Sequence, residues 1–155
     1  MIAMPDRNAE LAKRAKEGDA ICRQLLPPLM GSGAVLDGTM ESLRAIDAKA
    51  RQLREVMGIL DSVGESTGAS ALVSREAVAF MLGAYLGELV KREAEASGAK
   101  VRWEASEKGA QDVVNASLVI TRDQTEARWR AFLDAQRWLK GQLDVTLEGA
   151  VKQLV

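Results

Sequence analysis

One stretch, Val73 to Gly98 (VSREAVAFMLGAYLGELVKREAEASG), constrains this chain more than any other. Apolar residues recur at Val78, Met81, Leu82, Tyr85 and Leu89, the i, i+3, i+4, i+7 rhythm of one helix face. A second line, Phe80, Gly83, Gly87 and Val90, runs down another side of the same cylinder. Only Glu88, Lys91, Arg92 and Glu95 remain as a polar stripe, so the rest of the chain must enclose this helix. Ser74 is a good N-cap, Val73 and Val78 are spaced for a hydrophobic staple, and Gly98 suits the C′ position. Gly83 and Gly87 each cost about 1 kcal/mol in a helix interior relative to alanine. Two such residues four apart predict that another backbone crosses closely there.

The other segments read as layers around that helix. A length of 155 residues fits a single domain, with N-terminal helices and a loop over 1–38 and an α+β core over 39–155. Asp6 is placed to cap a first helix with Leu11 and Ala15 inward. Gly18-Asp19 reads as a stop followed by a new cap, and Pro27-Pro28 should end the apolar segment of Ile21, Cys22, Leu25 and Leu26. The run from Leu29 to Gly38 then reads as a loop. Its Gly31-Ser32-Gly33 lacks the Gly-Lys-Ser/Thr ending of a phosphate-binding loop. Thr39 should cap one amphipathic helix to about Val63, with Met40, Leu43, Ile46, Ala50, Leu53, Met57 and Leu60 as its stripe. Gly64 to Ala71 is a small-residue loop.

After Gly98 the period changes. Val101, Trp103 and Ala105 alternate with Arg102 and Glu104, the pattern of a half-buried strand. Glu107 to Ala110 supplies a turn, and the β-branched run from Asp112 to Thr121 should pair back as an antiparallel hairpin spanning about 100–121. An isolated hairpin is marginal in water, so a helix must cover it or a third strand extend it. Asp123 and Glu126 match a D-x-x-E capping box and predict a long C-terminal helix. Its stripe would be Trp129, Phe132, Leu133, Leu139, Leu143, Leu147, Val151 and Leu154, with a bend or break at Gly141. The fold class expected is therefore α+β and mostly helical.

Composition narrows the chemistry. The chain has no histidine, which removes the usual general base at neutral pH and the commonest transition-metal ligand. Cys22 is the only cysteine, so no metal site or disulfide framework is expected from cysteines, and no cofactor is implied. A formal net charge of −1 argues against a dedicated nucleic-acid binder, although Arg128, Arg130, Arg137 and Lys140 interleave with Trp129 and Trp138. Neither a signal peptide nor an apolar run of about 20 residues is visible, so a cytoplasmic protein without membrane contact is expected. Trp138 falls off the main C-terminal stripe, which makes it, with Arg130 and Arg137, the expected partner contact. Tyr85, Glu88 and Arg102 are candidates for a cleft between the central helix and the hairpin, where a carboxylate would act as acid or base.

The run from Phe80 to Ser106 resembles a pattern in uncharacterised bacterial domains, in which a helix reading roughly GAYLGE precedes a strand carrying a tryptophan. Here Gly83, Ala84, Tyr85, Leu86, Gly87, Glu88 and Trp103 carry the resemblance, with a longer helix end between them. What it implies is architecture (helix, hairpin, helix) and no particular reaction. The function expected is a non-catalytic protein-interaction module such as an adaptor, regulator, secretion accessory or immunity-type protein. Its partner would be another protein or a second copy in a homodimer. The alternatives are a small-ligand or nucleic-acid binder, or an enzyme using a carboxylate near Tyr85 and Glu88.

Overall fold

Ser74 does cap the central helix: its hydroxyl accepts the Ala77 N–H at 3.1 Å. The structure, a computed structural model, describes residues 6–31, 35–67 and 74–155. In chain order it contains α1 (Arg7–Met30), α2 (Met40–Ala48), α3 (Ala50–Thr67), α4 (Arg75–Ala96), β1 (Lys100–Glu104), β2 (Ser117–Arg122), β3 (Thr125–Trp129), α5 (Ala131–Leu139) and α6 (Leu147–Lys152), with a 3-10 turn at Val113–Asn115. The class is α+β, and α4 is its axis. Every residue from Met81 to Val90 is buried, because α1 covers one side of α4 and α5 and the sheet cover others. One continuous apolar core runs from Leu11 on α1 to Val151 on α6.

The α4 glycines mark close approaches. A Cβ at Gly83 would lie 2.8 Å from the Phe132 Cα and 2.7 Å from its Cδ1, so the α5 backbone crosses there as expected. At Gly87 the neighbour is a side chain, since an added Cβ would overlap the Trp103 ring. Phe132 stacks on Phe80 with ring centroids 5.4 Å apart and tilts against Trp103 at 5.2 Å. These three rings fix α4, α5 and β1 relative to one another.

The N-terminal half departs from expectation at its punctuation. Gly18 does not stop α1. It is a contact residue, where an added Cβ would stand 2.8 Å from the Ala84 Cβ on α4. Nor do Pro27 and Pro28, in the last turns, end the helix, which closes at Gly31 with φ +66°. A proline inside a helix costs about 3 kcal/mol. Cys22, Leu26 and Met30 lie one turn apart and are fully buried, so continuing the helix across the prolines keeps about 1.5–3 kcal/mol for each of Leu26 and Met30. Lys49 (φ −105°, ψ 14°) divides the expected Thr39–Val63 helix, so that α2 packs on α6 while α3 meets α1, α4 and α5. The expected loop at 64–71 is helical through Thr67, and its remainder lies outside the described residues, as do Ser32 and Gly33.

The sheet is larger than a hairpin. Its order is β1-β2-β3, antiparallel throughout. Residues 112–116 are not strand: Asp112 accepts from Ser106 Oγ at 2.7 Å and from Asn115, holding the 3-10 turn before β2. Asp123 does not cap a helix. Asp123 (φ 46°) and Gln124 (φ 71°) form the two-residue loop between Arg122 and Thr125, and positive φ at both positions is what a type I′ hairpin turn requires. The C-terminal helix is broken, as foreseen, at Gly141 (φ +71°), leaving α5 and α6. Asp47 of α2 accepts the Leu147 and Glu148 N–H groups at 2.9 and 3.1 Å and so anchors the start of α6.

Candidate functional site

Tyr85, Glu88 and Arg102 do not share a cleft. Tyr85 points from α4 to the start of α2. Its hydroxyl accepts the Gly38 N–H at 2.9 Å and lies 2.5 Å from Ser42 Oγ. Ser42 directs its own proton to the Thr39 carbonyl at 2.6 Å, so Tyr85 donates to Ser42. The phenol is thereby saturated, and burial raises its pKa, keeping it neutral. This is a structural tie. Glu88, one turn further, is 9% exposed, and its Oε1 has no hydrogen-bond partner. Burial raises its pKa, opposed by Lys91, Lys16 and Arg92 and assisted by Asp19. Arg102 lies on the far face of the sheet from both.

That far face carries a charge lattice. Arg102 reaches Glu104 at 3.3 Å and Glu126 at 3.7 Å, while Arg128 reaches Glu126 at 2.8 Å and also pairs with Glu104. Arg102 and Arg128 stand directly across from Val119 on either side. Val119 is fully buried yet lies outside the continuous core. The two half-exposed arginines that flank it have aliphatic stems suited to cover it while their guanidinium groups stay wet. Glu104 is held below the usual carboxylate range, chiefly by its hydrogen bond from Arg128.

The expected partner contact is corrected in one respect. Trp138 is 2% exposed, not a surface aromatic. The Arg54 guanidinium lies 5.4 Å from its ring centroid, and Arg54 Nε donates to the Trp138 carbonyl at 3.0 Å. Starting α5 at Ala131 sets its buried side at Ala131, Phe132, Ala135, Trp138 and Leu139, a regular helical stripe that includes the tryptophan. Arg130, at the N-cap position of α5, and Arg137, in its last turn, are both exposed.

A surface that sequence reasoning missed is the edge of the sheet at β3. Residues 125–128 are exposed, and only Trp129 is buried, its indole N–H donating to Asp134 at 2.7 Å. Beside the two-residue turn, Arg122 and Thr125 form a hydrogen-bonded pair. Such pairs alternate along an antiparallel ladder, so Thr125, Ala127 and Trp129 direct their backbone groups to β2. Glu126 and Arg128 direct theirs away from the sheet. The opposite edge is engaged: α1 lies beside β1, and Asn8 Oδ1 accepts the outward Ala105 N–H at 2.8 Å. The signal for β3 was the alternation of Glu126 and Arg128 with Ala127 and Trp129, obscured by a turn without glycine.

Elsewhere among the described residues there are two hollows of note. One of about 620 Å³ lies between Asp6–Glu10 and residues 108–111, where Arg7 donates to the Glu107 carbonyl at 2.7 Å. The other, about 160 Å³ and apolar, is bounded by Ala79, Phe80, Val113, Val114 and Phe132. Among the described residues no cluster of acidic or cysteine side chains is arranged to hold a metal, and no helix is long and apolar enough to cross a membrane. Comparison with protein-family models, curated proteins and solved structures finds no match.

Proposed function

We propose that this chain is a non-catalytic protein-interaction module that works through the open edge of its sheet. The observation that carries the reading is β3, an exposed edge strand whose Glu126 and Arg128 backbone groups face outward. Soluble proteins guard such edges, because a row of unpaired N–H and C=O groups templates strand addition. Here α1 guards the β1 edge and leaves β3 uncovered among the described elements. Strand addition would supply main-chain hydrogen bonds for affinity, while the alternating charges select the partner. The saturation of Tyr85 and the placement of Arg102 behind the sheet support a structural role for both, not a share in catalysis. The resemblance to bacterial domains with a GAYLGE helix and a tryptophan strand fits the same scaffold. Gly87 and Trp103 meet face to face, a physical reason for the two to occur together.

The test is a display selection of random genomic fragments against wild type and Glu126→Pro. Of the backbone groups that substitution removes only an outward N–H, which an edge strand tolerates. Because it also removes the carboxylate that pairs with Arg102 and Arg128, Glu126→Gln serves as the control that keeps the N–H. Wild type should retain fragments, or the chain itself, and Glu126→Pro should lose them. Retention indifferent to Glu126→Pro, or no binding by either protein, would contradict it.

A further inference from the structure

We infer that the partner of the β3 edge is a second copy of this chain, joined about a two-fold axis through Ala127 to make a continuous six-stranded sheet. This deepens the proposed function and rests on it. Charge register selects this pairing. The outward backbone groups belong to Glu126 and Arg128, so any antiparallel pairing of two β3 strands must place these residues opposite hydrogen-bonding partners. A two-fold axis at residue 126 sets Glu126 against Glu126 of the other copy. An axis at 128 sets Arg128 against Arg128. Only an axis at Ala127 sets Glu126 against Arg128 in both directions, with four backbone hydrogen bonds between the strands. Directly opposed side chains on one face of a sheet interact, and like charges there are unfavourable.

The residue on the axis is compatible with close approach. Ala127 is exposed and small, so two copies meet without a side-chain clash at the axis. Glu126 and Arg128 lie on the outer face with Arg102 and Glu104, and pairing would extend that lattice across the junction. The two-fold also closes the assembly. It consumes both β3 edges, and each β1 edge is engaged by its own α1 through Asn8, so the product is a dimer and not a fibre. Arg130 follows β3 directly and would stand near Gln124 of the other copy, giving one of the expected contact residues a place at the interface.

The experiment is sedimentation velocity across a concentration series on wild type, Glu126→Arg, Arg128→Glu and an equimolar mixture of the two variants. Wild type is expected to dimerise in the micromolar range. Each variant alone opposes like charges twice and should bind itself about tenfold or more weakly. In the mixture, one variant carries arginine at both positions 126 and 128 and the other carries glutamate at both. Every opposed pair across the junction is then of unlike charge, so a heterodimer should form with an affinity near that of wild type. This rescue cannot come from misfolded variants. A wild type that stays monomeric to high micromolar concentration overturns the second-copy inference, while the interaction-module reading keeps its own outcome in the fragment selection. A dimer indifferent to both reversals, or a mixture that stays monomeric, overturns the Ala127 register.

Discussion

Replacing glycine by alanine at two positions should move stability in opposite directions. Both Gly58 and Gly83 lie inside helices, where alanine is favoured by about 0.5–1 kcal/mol. At Gly58, exposed on α3, a Cβ would meet nothing within 4 Å among the described residues, so Gly58→Ala should gain most of that amount. For a domain of this length the melting temperature should rise by about 2–4 °C. At Gly83 the new Cβ would sit 2.8 Å from the Phe132 Cα, a backbone atom that no rotamer change can move. The ring above it cannot retreat either, being stacked on Phe80 and packed against Trp103. Overpacking typically costs about 1–3 kcal/mol, and immovable backbone places this site at the upper end. Subtracting the propensity gain leaves a net loss of about 2 kcal/mol, or about 4–8 °C. Thermal melts of the two variants beside wild type decide it. A Gly83→Ala protein melting at or above wild type would refute the claim that α5 crosses α4 there.

Three further outcomes follow from buried polar groups. Tyr85→Phe removes the acceptor for the buried Gly38 N–H and the donor to Ser42, and should cost about 1–3 kcal/mol in a denaturant titration. A melt unchanged from wild type would mean the tie contributes nothing. Glu88 has a raised folded-state pKa, so it binds its proton more tightly when folded. The stability this gives is full below the unfolded value of about 4.3 and is lost as pH rises through the folded value. Glu88→Gln should therefore be more stable than wild type at neutral pH, with the difference shrinking towards about pH 4; a difference that grows on acidification would contradict this. Burial pushes the Cys22 thiol far up, chiefly by desolvation, so a thiol reagent should label it only on unfolding. Rapid labelling of the native protein would show that α1 opens locally.

The parts legible in the sequence were those where local chemistry and tertiary packing agree. Ser74, Thr39 and Asp6 cap the helices their positions promised, and Gly98 takes the left-handed conformation (φ +98°) expected after α4. The α4 periodicity announced a buried axis because nearly every azimuth is apolar. Punctuation residues misled where packing overruled them. Gly18 and Pro27-Pro28 read as breaks, but the buried line of Cys22, Leu26 and Met30 carries α1 through. The C-terminal third failed for a different reason. Asp123 and Glu126 fit both a capping box and a tight turn leading into an edge strand, and the turn has no glycine to decide between them. Counting the helical stripe from Trp129, which belongs to β3, then rotated Trp138 off the buried face where α5 places it. The β3 edge was hidden by the same choice. Among the functional candidates, Arg130 and Arg137 kept their exposed positions, while the sheet separates Arg102 from Tyr85 and Glu88 on α4.

Amide hydrogen exchange, followed residue by residue along β3 at low and high protein concentration, tests the edge most directly. Thr125, Ala127 and Trp129 donate towards β2 and should be protected at every concentration. Glu126 and Arg128 face outward, so their amides should exchange freely in dilute solution and become protected as two copies pair. Exchange at Glu126 and Arg128 that stays fast at all concentrations, with the β2-facing amides protected, would contradict the pairing of two copies along this edge.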